Sequence, residues 1–244
     1  MENKIVCGIA SLPERELNLK KTIDSLYNQV DKLHVVLNSY KSIPEFLNKN
    51  KIIVHHSFTN KGASAKFINI ENCNSYYFSC DDDLIYPHNY VQSMIQKCKE
   101  FNNQAIIVVH GGMIATPKQW RGYRMQKIGY HFSHKLTQDQ WVQIGGSGTM
   151  CIHQPTIQLK QSDLIHNNKV DFDIMVKSQK NNIPILAIAR PSRWIYYQND
   201  LRRKFNIFRH HLKNPVDIKE AHEIVRRLKT LNTMTYHEKT KILL

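Results

Sequence analysis

The sequence predicts an α/β protein, a mainly parallel sheet flanked by helices, with a helical C-terminal extension. Apolar runs of strand length alternate with one-face helical spacings from the N-terminus onward. The polar residues fall just after those apolar runs, where a parallel sheet presents its ligand-binding edge. Such βαβ alternation brings successive strands parallel, with helices on the faces.

Ile5-Val6-Cys7-Gly8-Ile9-Ala10 reads as a buried strand, and Ser11-Leu12-Pro13-Glu14 then supplies a cap, an N-terminal proline and acidic first-turn charge. Leu19, Ile23, Leu26, Tyr27 and Val30 share one face of the helix that follows. Leu33-His34-Val35-Val36-Leu37 is a second strand, Ile52-Ile53-Val54 a third and Tyr76 to Cys80 a fourth, with a short helix expected between Ala63 and Ile70. Asp81-Asp82-Asp83 ends the fourth strand, and Leu84-Ile85-Tyr86-Pro87 leads into a helix through Val91, Met94, Ile95, Cys98 and Phe101. Seven of the nine glycines then fall between residues 111 and 148 among Trp120, Tyr123, Tyr130 and Trp141, a pattern of irregular loops and antiparallel strands that shape a pocket. Val170-Asp171-Phe172-Asp173-Ile174 opens a further helix, followed by a strand from Ile183 to Ala189.

At 244 residues the chain is long enough to bury a sizeable core. It shows neither a signal-peptide h-region nor the roughly 20 apolar residues of a membrane span. The five cysteines form no C-x-x-C pair and sit in apolar segments, as reduced core cysteines do, so a cytoplasmic location is expected. The formal charge of +14 calls for an anionic partner: nucleic acid, anionic lipid or a phosphate-bearing substrate. Residues 200–244 hold eleven Lys or Arg against five Asp or Glu, which sets that segment apart.

Adjacent carboxylates repel, and a divalent cation with oxygen ligands both removes that cost and bridges to substrate phosphate. The plain alternative is a solvated acidic turn. At the other strand ends, Arg15 and Lys66 can neutralise phosphate, Asn38 and Ser39 can hydrogen-bond a base or ribose, and Gly62 permits close backbone approach. Asp171 and Asp173 read either as favourable helix-dipole charges or as a second carboxylate site free to act as a base. Gly145-Gly146-Ser147-Gly148-Thr149 lacks P-loop spacing, and an EF-hand from Asp81 would need glycine where Tyr86 stands. His131 and His134 lack the context of a zinc pair.

Taken in order, these motifs resemble the glycosyltransferases of the GT-A fold, in pattern the large inverting family two. The resemblance spans residues 4 to 195 and rests on Ser11-Leu12-Pro13-Glu14-Arg15, on Asn60-Lys61-Gly62-Ala63 with Lys66, on Asp81-Asp82-Asp83, and on Asp171-Phe172-Asp173 before Asn182-Ile183-Pro184. It implies that residues 1–199 form a catalytic domain, with a nucleotide-sugar half up to about residue 110 and an acceptor half from 111. Residues 200–244 would be a basic helical extension. It implies that Asp81 and Asp83 hold Mn²⁺ or Mg²⁺ against the diphosphate of a nucleotide sugar, a UDP-sugar above all, while Asp82 faces ribose or sugar. Pro13, Arg15, Asn38, Gly62 and Lys66 would complete the donor site, and His210 or His211 could complete the metal shell. Asp171 would take the proton of an acceptor hydroxyl in a single displacement that inverts the anomeric carbon. The acceptor would be a glycan or a lipid-linked sugar of a bacterial surface polysaccharide, reached by one-sugar transfer and not by a membrane-embedded synthase. No nucleic acid is expected.

Three departures qualify this. Asn38-Ser39 stands where the family often has an acidic base-reading residue, Val170 replaces the first acid of a frequent Glu-Asp pair so that Asp173 stays a rival base, and Arg190 to Trp194 only echoes a Q-x-x-R-W motif. Two other classes keep a foothold: a metal-dependent phosphohydrolase or phosphotransferase with an aspartyl nucleophile, and a nucleic-acid binder built on Arg202-Arg203-Lys204 to His211. The same basic segment, with the apolar stripe Ile218, Ala221, Ile224, Val225, Leu228 and Leu231, suits peripheral contact with an anionic membrane on the cytoplasmic face, or a helix packed on the catalytic body.

Overall fold

The computed structural model describes residues 4–198, 211–228, 235 and 237–239. The first four strands, β1 (Val6–Ser11), β2 (Lys32–Asn38), β3 (Ile52–Ser57) and β4 (Tyr76–Asp81), pair in parallel in the order β3-β2-β1-β4. Helix α1 (Glu16–Leu26) joins β1 to β2. Beyond β4 a two-residue strand β5 (Leu84–Ile85) precedes α2 (Tyr90–Glu100) and β6 (Ile106–Val108). The glycine-rich middle supplies β7 (Gly111–Ile114), β8 (Gln126–Tyr130), β9 (Gln140–Val142) and β10 (Ile144–Gly145), of which β10, β7 and β8 form a small antiparallel sheet. Then come β11 (Thr149–His153), the single turn α3 (Gln154–Ile157), α4 (Val170–Lys180), β12 (Ile185–Ala187), β13 (Tyr196–Tyr197) and α5 (Pro215–Arg226).

The main sheet has eight strands in the order β3-β2-β1-β4-β11-β6-β12-β9. Six run one way; β11 and β9 are antiparallel to their neighbours. The sheet is buried on both faces, as a mainly parallel sheet must be. Cys7, Ile9, Leu33, Val35 and Phe78 meet α1 and α2 through Leu19, Ile23, Leu26, Val91, Met94 and Cys98 on one side. Val6, Tyr77, Ile106, Val108, Met150 and Ile152 meet Phe67, Ile70 and Ile174 on the other. All five cysteines are buried and unbridged. Among the described residues no helix is long and apolar enough to cross a membrane.

The structure departs from the sequence expectation in two places. The helix expected between Ala63 and Ile70 is two separate 3-10 turns, Ala63–Phe67 and Ile70–Asn72, because Asn69 adopts a left-handed conformation between them. Tyr77 Oη also binds the carbonyls of Lys66 and Ile68, at 2.8 and 3.0 Å, so they are held from the sheet. The strand at 183–189 shortens to Ile185–Ala187. Of the two readings kept open for the apolar stripe, a membrane face or a helix packed on the rest of the chain, the described part of α5 follows the second. Ala221, Ile224 and Val225 are buried against Tyr123, Met125, Phe172 and Met175, and Ile218 and Leu228 pack on the same cluster. Those apolar side chains already have a partner, so burial against the rest of the chain is the outcome that removes most of them from water.

Candidate active site

The parallel strands place their carboxyl ends on one edge. There Ala10 pairs with Asp81 and Ser11 with Leu37, so the ends of β1, β2 and β4 lie level. A pocket opens at this edge, lined by Ser11, Leu12, Arg15, Asn38, Asn60, Gly62, Ala63, Lys66, Asp81, Asp82 and Asn168. Of the donor-site residues expected from sequence, Arg15, Asn38, Gly62, Lys66, Asp81 and Asp82 line it. Pro13 does not; it is exposed at the head of the 3-10 turn Pro13–Arg15, whose last residue is Arg15.

Two carboxylates and two cations, Asp81 and Asp82 with Arg15 and Lys66, are part of the lining, and Asp83 adjoins them outside it. Lys66, buried, donates from Nζ to Asp81 Oδ1 at 2.6 Å, while the Asp81 side chain keeps 44% of its surface in solvent. Asp82 is turned inward, accepting from Ser11 Oγ at 2.6 Å and Arg15 Nη1 at 2.7 Å, and the same Arg15 nitrogen reaches Asp83 Oδ2 at 3.2 Å. Burial alone would raise the Asp81 carboxyl, but Lys66 outweighs it and holds the group below its ordinary range. At Asp83 the balance tips the other way, although Arg15 and Lys66 both act to lower it. Burial, and then the carboxylates of Asp81 and Asp82, push it up to about 7.

Asn38 spends its side chain on the loop: Nδ2 donates to the Gly62 carbonyl at 3.3 Å and Oδ1 accepts from the Lys61 amide at 3.1 Å. That loop needs Gly62, whose φ is +74° and whose absent Cβ would stand 2.6 Å from the Asn167 carbonyl.

The antiparallel strand β11 brings the glycine cluster to the acidic turn, a proximity nothing local in the sequence signals. A Cβ on Gly148 would lie 2.0 Å from Asp81 Oδ2, so glycine lets the backbone pass without displacing that carboxylate. Tyr86 fixes this contact, accepting the Asp81 amide at 2.8 Å and donating to the Gly148 carbonyl at 2.5 Å. One residue earlier, the Ser147 amide donates to Asp171 Oδ1 at 2.8 Å.

Asp171 and Asp173 thus part company. Asp171, in the first turn of α4, is partly exposed and shares the fields of Lys66 and Asp81, with burial raising its carboxyl. Asp173 is buried with both oxygens occupied by His166, through the amide at 2.9 Å and through Nδ1 at 2.5 Å. Beyond β6, His110 is a feature that sequence reasoning missed. Its Nδ1 is buried without a hydrogen-bond partner among the described residues, its ring meets His131 at 5.2 Å, and burial beside Arg190 lowers it to about 4.

The chemistry of the donor set admits a cation. Three carboxylates face two cationic side chains, with Arg15 shared between Asp82 and Asp83, and hard carboxylate oxygens at 81 and 83 are a sufficient protein share for Mg²⁺ or Mn²⁺, which take the rest of their shell from water and phosphate. Among the described residues no three His, Cys, Asp or Glu side chains already converge on one point. His210 lies outside the described residues. His211 is turned elsewhere, with Nδ1 at 2.9 Å from Asp217 Oδ2.

A level edge of parallel strands, a strand-end acidic turn and an antiparallel strand wedged beside it define the fold class: this is the GT-A fold. The chain is similar to Staphylococcus aureus TarS, residues 1–349, solved in complex with UDP-GlcNAc, with a TM-score of 0.56 at 12% identity over 96% of this chain and 68% of that one. A second structure of the same TarS segment aligns with a TM-score of 0.49 at 10% identity, over 89% of this chain and 70% of that one. No protein-family model and no curated protein matches the sequence.

Proposed function

We propose that the protein is a glycosyltransferase that moves one sugar from a nucleotide-sugar donor to an acceptor hydroxyl. The observation that carries this reading is the pocket itself, where four strand-end segments far apart in sequence deliver Arg15, Asn38, Lys66 and Asp81 to one cleft, with Asp171 outside the lining but within the fields of Lys66 and Asp81. A UDP-sugar, the ligand type of the TarS complex, suits that cleft. Arg15 and Lys66, both lining the pocket, would neutralise phosphate. The polar groups of Asn60 and Asn168 offer hydrogen bonds to the nucleoside end or the sugar.

Mn²⁺ or Mg²⁺ held by Asp81 and Asp83 would supply charge neutralisation for the departing nucleotide diphosphate. Asp171 is the better-placed base. Its raised carboxyl suits proton acceptance from an acceptor hydroxyl, whereas Asp173 is committed to His166. One displacement with Asp171 as base inverts the anomeric centre. The acceptor would be a glycan or lipid-linked sugar of a bacterial surface polysaccharide. With the α5 stripe buried, contact with an anionic membrane would fall to the basic residues 202–209, which lie outside the described residues.

The deciding experiment is a panel of nucleotide sugars, scored for thermal stabilisation and slow hydrolysis with Mn²⁺ and with chelator. A ligand at a hundred times its Kd should stabilise the fold by about 2.7 kcal/mol. One UDP-sugar should stand out, and its hydrolysis should stop in Asp81→Asn. A panel with no response, or a trapped phosphoaspartate, would overturn the reading in favour of a phosphate-transfer enzyme.

A further inference from the structure

Helix α5 does more than cover apolar surface. On one side it seats against the loop before β8, where His222 Nε2 lies 2.7 Å from the Gly122 carbonyl and Arg226 stacks 5.6 Å over Trp120. On the other it meets the segment 166–169 through charged groups. Lys169, only 7% exposed at the head of α4, donates to Asp217 Oδ1 at 2.8 Å and Glu220 Oε2 at 2.5 Å. His166 stands between Asp173 at 2.5 Å and Glu220 Oε1 at 3.4 Å, and His211 Nε2 is 3.2 Å from the Asn168 carbonyl.

The far side of that same segment is the donor pocket. Asn168 lines it; Asn168 Oδ1 accepts the Ala63 amide at 3.0 Å, and the Asn167 carbonyl accepts the Ser64 amide at 2.9 Å. Gly62 is pressed against Asn167, as its φ and missing Cβ require. Four residues therefore join three things: the C-terminal helix behind, the Gly62–Ser64 wall of the pocket in front, and the first turn of α4 that carries Asp171.

We propose that Asp217 and Glu220 of α5, acting through Lys169, are positioning residues: they hold the 166–169 segment from behind and so set both the pocket wall at Gly62–Ser64 and the placement of Asp171. The C-terminal helix is by this account part of the active site, although none of its described side chains lines the pocket. The physical reason is the cost of an unpaired buried charge. Lys169 is the buried charge of the trio and cannot leave its two carboxylates without standing desolvated and unpaired, so the head of α4 has one favoured position. Its bearing on catalysis rests on the glycosyltransferase reading above; the grip itself does not.

The test compares two variants of the full chain. Asp217→Asn with Glu220→Gln removes the grip, while Ile224→Ala weakens the apolar seat of α5 and leaves the charges alone. Amide hydrogen exchange under native conditions should be at least tenfold faster at Ala63 and Ser64 in the double variant and unchanged there in Ile224→Ala. With the active donor, kcat should fall at least tenfold in the double variant at little change in acceptor KM, and stay near the parent value in Ile224→Ala. Should the double variant fail to fold, Glu220→Gln alone, at a half-exposed carboxylate, must show the same exchange change in smaller size. Equal exchange at Ala63 and Ser64 in the two variants would overturn the proposal and leave α5 a structural cover. Exchange needs no substrate, so a parent chain inactive with every nucleotide sugar would remove the glycosyltransferase reading and leave the grip standing or fallen on its own.

Discussion

Gly148 is where backbone and chemistry meet most closely. Alanine there would place a methyl group 2.0 Å from Asp81 Oδ2, and the carboxylate can move because it is the free end of its side chain. The strain of such overpacking is about 1–3 kcal/mol, less than a folded domain holds, so the protein should fold. Asp81 should lose its alignment with Lys66, and transfer should drop at least tenfold with the thermal transition shifted by only a few degrees. Melting and a transfer assay on Gly148→Ala check both halves. The two aspartates of α4 should separate as sharply. Asp171→Asn should lower kcat roughly 10²–10⁴-fold with donor affinity kept, the loss expected for a general base. Asp173→Asn should instead cost stability, because its buried oxygens both serve His166. The reverse assignment, catalysis lost at 173 and stability at 171, would place the base two residues later.

Among the elements, β11 and α5 do what no motif announced. β11 inserts antiparallel between β4 and β6 and so carries Gly146 to Gly148 to the acidic turn. Helix α5 completes a separate apolar cluster with Tyr123, Met125, Phe172 and Met175. Ile224 is 5% exposed in that cluster, and Ile224→Ala should cost about 2–4 kcal/mol in urea unfolding, the range for deleting a buried aliphatic side chain. A cost near zero would mean that α5 is not seated there in solution. The same result would restore its apolar stripe as a candidate membrane face.

For the whole molecule, acid is a specific hazard. His34 on β2 is buried against His55, with Nδ1 2.8 Å from its Nε2, and burial, His55 and Lys32 lower it to about 4. In the unfolded chain its value is near 6.5. The folded state therefore resists a proton that the unfolded state accepts, so the stability associated with His34 is complete above about pH 6.5 and is lost as pH falls toward 4. Over that window the slope from one such group approaches about 1.4 kcal/mol per pH unit. Replacing His34 by Gln should flatten it. Urea midpoints of parent and variant at pH 7 and pH 4.5 measure the difference, and parallel acid profiles would show that His34 is not held neutral.

Much of this was legible locally. The strand runs, the one-face helices and the rule that parallel sheets open at their carboxyl ends located Arg15, Asn38, Gly62, Lys66 and the acidic turn, because period and strand-end position are properties of a few adjacent residues. What the sequence could not reveal is what depends on contacts across the chain. Asp171 and Asp173 are two apart on a helix and so point to different sides, but only the packing of α4 decides that one meets Ser147 and the other His166. The use of Asp82 as a support for Arg15, the need for glycine at 148 and the inward turn of α5 arise the same way. Each is settled by which distant groups would be left buried and unpaired, or apolar and wet, in any other arrangement, and that balance exists only once the tertiary structure has formed.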